Sequence, residues 1–188
     1  MIRLLRFFAL PALLAASSAL AVQPAPPAVP FAATGTVEYA FTPGQRADDM
    51  IIAAIAAAHR QVLVQAFSFT HRRIAAALAA ARRRGIEVAV IADAEQAHTE
   101  RTTVIPSLAK AGVPVLLDGQ HAWAHNKVMV IDAGFDDCAV VTGSYNFTTA
   151  AQQRNAENVL VLRGNPPLCE AYRDNWLRHR AHSLPMRR

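Results

Sequence analysis

Residues 125–147 read HNKVMVIDAGFDDCAVVTGSYNF, and the two apolar runs inside that stretch decide how the chain folds. Val128-Met129-Val130-Ile131 is apolar at every position, so a strand built from it needs cover on both faces, as at the centre of a sheet between two layers. Residues 138–142 form a second short apolar run, which pairs with the first across the turn at 132–137. His125 and Lys127 share a parity. With residues 126–131 extended, both side chains leave the same face and converge on one small group. Asp132 has the other parity and stands where the strand ends, ahead of Ala133-Gly134. It therefore fixes the turn or a neighbouring cation and is not a reacting group.

The stretch has the chemistry of a phosphate site. Gly143 lets the backbone pass close to a bound anion, while the Ser144 hydroxyl and the Asn146 amide donate hydrogen bonds to phosphate oxygens. Downstream, Asn155-Ala156-Glu157-Asn158 opens another apolar strand, 159–162. Glu157 is thereby placed to accept the second ring proton of a histidine, which fixes the tautomer and makes the other nitrogen a better nucleophile. In the bland alternative His125 is a surface histidine and Lys127 a solvated charge on an edge strand. Against it, a buried central strand that begins with His and Lys requires an anion or a carboxylate nearby.

Outward from the motif the elements alternate. Residues 35–41 read as a strand, 47–58 as a helix with Asp48 and Asp49 in its first turn, and 61–68 as a strand. Residues 72–84 form a helix capped by Thr70 and closed by Gly85. A strand at 87–92, a helix at 103–111 and a strand at 113–117 lead to the motif strands, and a helix at 168–179 ends the order. This is an α/β fold, a mixed sheet sandwiched between helical layers.

The N-terminus reads Met1-Ile2-Arg3-Leu4-Leu5-Arg6, runs without charge through residues 7–21 and reaches Ala19-Leu20-Ala21. That is the pattern of a secretory signal peptide, cleaved after Ala21, with a periplasmic or secreted product. The apolar run is short for a membrane span, and an uncleaved anchor is the alternative. Residues 22–34, rich in Pro and Ala, form a flexible lead-in, and residues 35–188 a single domain of about 155 residues. Without Arg3 and Arg6 the formal net charge falls from +5 to +3, which excludes a strongly basic nucleic-acid-binding tail. The two cysteines, Cys138 and Cys169, form a disulfide if the compartment is oxidising.

His125-x-Lys127-x4-Asp132, followed by Gly143-Ser144-x-Asn146-Phe147, resembles the HKD motif of the phospholipase D superfamily. The single-motif form with Asn155-x-Glu157-Asn158 is similar to the small bacterial endonucleases of the Nuc type. Phe41-Thr42-Pro43-Gly44, Ala66-Phe67-Ser68-Phe69-Thr70, the helix from Ile74 and the strand ending at Asp93 resemble the first half of that fold. The resemblance covers roughly residues 35–179. Every motif position is matched, while His121 and Trp123 lie outside the general pattern.

The resemblance implies phosphodiester cleavage through a covalent phosphohistidine, without metal or other cofactor. That chemistry needs one imidazole to attack phosphorus and a separate acid for the leaving oxygen. One motif supplies one histidine: none of His59, His71, His98, His121, His179 or His182 has a lysine two residues on. The family's solution is a homodimer in which two copies of His125 share a site on the two-fold axis. Lys127 and Asn146 then surround the phosphate, Ser144 orients it, Glu157 holds the imidazole and Asp132 is structural.

Nucleic acid, DNA and perhaps RNA, is the leading substrate class. Arg82-Arg83-Arg84 and His71-Arg72-Arg73 flank one helix and can meet backbone phosphates, although each arginine alone reads more simply as a solvated charge. Trp123 offers a face for stacking on a base, or a core or interface contact. A phospholipase acting on membrane headgroups is the second reading, and no amphipathic helix offers it a stable membrane contact. A nonenzymatic phosphate- or nucleic-acid-binding protein is the third. A zinc pair His121-x3-His125 is discounted, because Ala122 stands where H-E-x-x-H has glutamate and a strand follows. His98 and His182 read as exposed loop and tail residues. Asp93 is placed to cap the helix that follows it, more simply than to line a site for an anion.

Overall fold

The computed structural model describes residues 27–186. The expected signal peptide, residues 1–21, lies outside the described residues, and 27–34 have no regular secondary structure. Residues Phe31–Arg188 form one compact unit.

The chain enters through β1 (Thr36–Thr42) and continues as α1 (Ala47–Ala56), β2 (Gln61–Ala66), α2 (Arg72–Arg83) and β3 (Glu87–Asp93). Next come α3 (Ala94–Thr99), α4 (Ile105–Lys110), β4 (Val115–Asp118), and the motif strands β5 (Lys127–Ile131) and β6 (Ala139–Gly143). α5 (Thr149–Gln153), β7 (Glu157–Arg163), α6 (Pro166–His182) and β8 (Leu184–Pro185) complete the order. The eight strands form one mixed sheet in the order β1-β7-β6-β5-β2-β3-β4-β8. β2, β3 and β4 run parallel through the crossovers α2 and α3–α4, and the other pairings are antiparallel.

β5 lies inside the sheet, as its unbroken apolar run requires. All five of its residues are buried. Met129 and Ile131 enter the layer that includes Ile51, Ile55, Ile74 and Leu78 of α1 and α2, while Val128 and Val130 enter the opposite layer beneath Trp176 of α6. The alternation of a strand thus feeds two cores at once. Buried Ile74, Ala75, Leu78 and Ala81 follow helical spacing along α2 and form its inward stripe. α6 covers the second face, with the Trp176 indole donating to the Val64 carbonyl at 3.0 Å. The Cys138–Cys169 disulfide ties the start of α6 to the turn before β6.

Some local expectations change. The cap of α2 is His71, whose Nδ1 accepts from the Ile74 amide at 3.5 Å, and not Thr70. Thr70 instead donates its backbone N–H to the Phe147 carbonyl, docking the residue 144–147 loop on the end of β2. His98, read as a loop residue, is exposed on α3, a helix too short to show periodicity in the sequence.

Candidate active site

The residue before β5 starts the site. His125 is exposed, in the irregular segment that precedes β5, and its ring lies 4.4 Å from that of Phe67. Lys127 opens β5 and is buried, its Nζ 5.0 Å from the centre of the same Phe67 ring and donating to the His125 carbonyl at 2.6 Å. Phe67 thus holds both motif residues from one side. The sequence carries that signal only as an aromatic at a strand end.

The segment that carries His125 is pinned at its base. Asp93 is buried at the end of β3, and one of its oxygens caps α3 through the Gln96 amide at 2.9 Å. Its other oxygen accepts the Ala124 amide at 2.8 Å. The expected capping role is present. The second bond, one residue before His125, was not legible, because it spans 31 positions.

Electrostatics favour a reactive imidazole. Desolvation and the adjacent Lys127 charge both lower the proton affinity of His125, which favours the neutral ring that can act as a nucleophile. Burial pushes the Lys127 ammonium down to about 8, against the pull of Glu157, so it keeps its charge at neutral pH. A buried cation beside a neutral imidazole is a pair prepared for an anion.

Asp132 does not face this site. Its carboxylate accepts the backbone N–H groups of His59 at 2.8 Å, Arg60 at 2.7 Å and Gln61 at 2.7 Å. Buried and with φ +51°, it joins the end of β5 to the start of β2.

Glu157 departs from the reading of the sequence. Its carboxylate accepts from the Ser144 hydroxyl at 2.6 Å and from the Asn155 amide at 3.1 Å, and not from the His125 ring. Ser144 also accepts the Asn158 backbone N–H at 3.0 Å, which locks the four residues into one exposed network across β6 and β7. The strands come that close because residue 143 is glycine. With φ +153°, a Cβ there would lie 2.3 Å from the Asn158 carbonyl oxygen, so the near approach is to a neighbouring strand.

Asn146 lies on a cleft of about 950 Å³ lined also by Ser68, Thr70, Arg72 and Arg154, and neither His125 nor Lys127 lines it. Its Oδ1 is buried without a hydrogen-bond partner. Exchange of the two ends of the amide turns that position into a donor for an oxyanion. Trp123 is 67% exposed, its ring 6.4 Å from that of His125 and 6.5 Å from that of Phe67.

His121 and His125 do not converge. Instead His121 turns to Asp118, where His179 and His182 of α6 also arrive. His182 is therefore not a free tail residue. The basic helix ends are partly committed as well. Arg73 pairs with Asp48 and Asp49, Arg84 donates to the last carbonyls of the α1 region, and Arg82 donates to Gly112.

The sequence model of the cardiolipin synthase, PLD-like domain matches residues 51–179. This chain belongs to the phospholipase D-like family. It is accordingly a phosphodiesterase of that superfamily, and the matched region contains Phe67, His125, Lys127, Asp132, Ser144, Asn146 and Glu157. A protein named phospholipase D from Rickettsia conorii is 34% identical over 145 residues, covering 77% of this chain and 70% of its own length. Human mitochondrial cardiolipin hydrolase is 30% identical over 118 residues, 63% of this chain and 45% of the relative. Among solved structures, the phospholipase D family member Nuc from Salmonella typhimurium superposes with TM-score 0.75 at 31% identity, over 81% of this chain and 99% of its own. NucT from Helicobacter pylori gives 0.70 at 25% identity, over 80% and 99%.

Proposed function

We propose that the chain is an exported, metal-independent endonuclease without sequence preference, acting on DNA and also on RNA, and working as a two-fold symmetric dimer. The cleft beside Asn146 carries the choice of substrate. It is open, polar and bordered by four arginines, of which Arg46 and Arg73 are neutralised by Asp48 and Asp49. Arg72 and Arg154 form no ion pair among the described residues and remain for a polyanion. Trp123, exposed beside His125, gives a base a face to stack on.

The dimer rests on two observations. One chain brings one motif histidine, on an exposed segment, and one apolar patch of the sheet has no cover among the described residues. Val37, Tyr39 and Phe41 of edge strand β1 are 57%, 61% and 57% exposed, and they stand on the same face as Leu160 of β7. A second copy buries such a patch and presents a second His125.

In the reaction, a neutral His125 ring nitrogen attacks phosphorus while the partner subunit's His125, in its protonated form, gives a proton to the departing oxygen. A P–N bond forms as the P–O bond breaks. The partner's imidazole then takes a proton from water, the resulting hydroxide attacks phosphorus, and the P–N bond breaks to release the product. Lys127 and Asn146 from both chains bind the equatorial oxygens. Ser144 and Glu157 brace β6 against β7 behind them.

A second reading, hydrolysis of phospholipid headgroups, is favoured by the names of the Rickettsia and mitochondrial relatives and by the same uncovered apolar face. Among the described residues no helix is long and apolar enough to cross a membrane. The two readings separate on incubation of the purified protein, in chelator, with plasmid, single-stranded DNA, RNA and phospholipid vesicles, alongside His125→Ala. Nucleic acid is cut and lipid is not. Hydrolysis of lipid alone overturns the nuclease, and reversible loss of activity in chelator while the fold persists by circular dichroism overturns the mechanism.

A further inference from the structure

At the C-terminal end of β4, opposite Asp93 of β3, Asp118 is completely buried. Its Oδ2 meets His179 Nδ1 at 2.7 Å, His121 Nδ1 at 3.1 Å and His182 Nε2 at 3.2 Å. The four donor atoms all lie within 4.8 Å of one another. The three rings crowd together, with centroids 4.9, 5.2 and 5.4 Å apart and His121 stacked on His179. His179 and His182 stand one turn apart on α6 and so share a face, while His121 closes the group from the loop that follows β4.

We propose that Asp118, His121, His179 and His182 form a structural zinc site. Three imidazole nitrogens and one carboxylate oxygen are a borderline-soft donor set that suits zinc in four-coordinate, tetrahedral form. Zn–N bonds of about 2.0–2.1 Å separate tetrahedral donors by about 3.3 Å. The three spacings from Asp118 Oδ2, 2.7–3.2 Å, open slightly to reach that value, and donors that stand farther apart, all within 4.8 Å, draw together.

The alternative occupant of the cluster is the proton. Asp118 is completely buried, and its carboxylate meets three imidazole nitrogens. A carboxylate kept ionised needs positive charge beside it. Three protonated imidazoles on one carboxylate leave an excess of two positive charges in a space about 5 Å across, whereas one metal ion satisfies the oxygen and all three nitrogens while the rings stay neutral.

The place of the site gives it a purpose. It joins the end of β4, the loop that runs on to Trp123 and His125, and the last turn of α6, whose continuation, β8, pairs with β4. Zinc bound there fastens the C-terminal helix and the base of the catalytic segment without touching the phosphate site.

The test reads metal and stability, so its outcome is independent of which phosphodiester is cut. The full chain is loaded with zinc, dialysed and analysed for metal content, beside His182→Ala and a His179→Ala, His182→Ala double variant. Wild type retains one zinc per chain and the double variant less than about a tenth of that. A hundredfold excess of zinc over its Kd raises the melting temperature of wild type by about 5–10 °C and leaves the double variant unmoved. Cobalt in place of zinc gives the visible absorption of a tetrahedral ion in wild type only. His182 is only partly buried, so the single variant folds and serves as the check should the double variant fail. Wild type that retains no metal, or His182→Ala that retains it as tightly, overturns the site.

Discussion

Asp132 and His125 belong to one motif and do opposite work, and single substitutions separate them. Removing the imidazole in His125→Ala deletes the nucleophile and the acid together, and kcat falls by at least about 10³-fold with the melting temperature unchanged. Removing the carboxylate in Asp132→Ala takes the acceptor from three partly buried backbone donors and costs about 3 kcal/mol in urea denaturation, while the folded fraction keeps turnover within about tenfold of wild type. A well-folded but inactive Asp132→Ala would refute that division. The His125 ring also carries a pH signature. Burial and the Lys127 charge both disfavour its protonated form, so an NMR titration of the ring has its midpoint below the ordinary imidazole value of about 6.5. In Lys127→Met the neighbouring charge is gone, and the midpoint rises. A wild-type midpoint above 6.5, or a fall in the variant, contradicts the assignment.

At the scale of elements, the strands were legible where composition alone forces their surroundings. The run 128–131 demanded cover on both faces and received it, from α1 and α2 on one side and α6 on the other. The short elements α3, α5 and β8 were not legible, because five or six residues do not complete enough turns to show a period and a two-residue strand shows none. Contacts between distant segments were hidden for a different reason. The sequence shows His121, His179 and His182 singly, and only the packing of α6 on β4, 61–64 positions apart, brings them to one carboxylate. In sequence Glu157 pairs most simply with the motif histidine, whereas β6–β7 pairing delivers Ser144 to it. The Cys138–Cys169 bridge was legible from the even cysteine count and the expectation of export. Its removal is a prediction about α6 as a whole: a cross-link closing 31 residues contributes about 3–4 kcal/mol through the entropy of the unfolded chain. Cys138→Ala with Cys169→Ala therefore lowers the melting temperature by about 10 °C. Since the bridge lies on the α6 side of the sheet and away from Phe67, turnover at 25 °C is unchanged. A shift of less than about 2 °C would mean that α6 is held by Trp176 and its neighbours alone.

For the whole molecule, the decisive quantity is how activity scales with the fraction of competent subunits. Within one chain the motif residues fall into separate groups. His125 and Lys127 sit on Phe67, Ser144 and Glu157 in the β6–β7 network, and Asn146 on the arginine-bordered cleft. One protomer offers phosphorus a single imidazole, and in the proposed mechanism the second comes from a copy related by two-fold symmetry. Subunits of wild type and His125→Ala, mixed in equal amounts and allowed to exchange, pair at random, so about a quarter of the dimers hold two imidazoles. Activity per total protein then settles at about a quarter of that of wild type, and across other ratios follows the square of the wild-type fraction. Protomers that act alone instead give about half in the equal mixture and a straight line throughout. The dimer also predicts its own dissection. Tyr39→Asp places a charge in the uncovered β1 face, shifts the sedimentation coefficient from dimer to monomer, and abolishes turnover although His125 and Lys127 are untouched. Mixing wild type with this monomeric variant dilutes activity only in proportion, because the variant cannot enter a dimer. A linear response to His125→Ala, or an active Tyr39→Asp monomer, would return the complete reaction to a single chain.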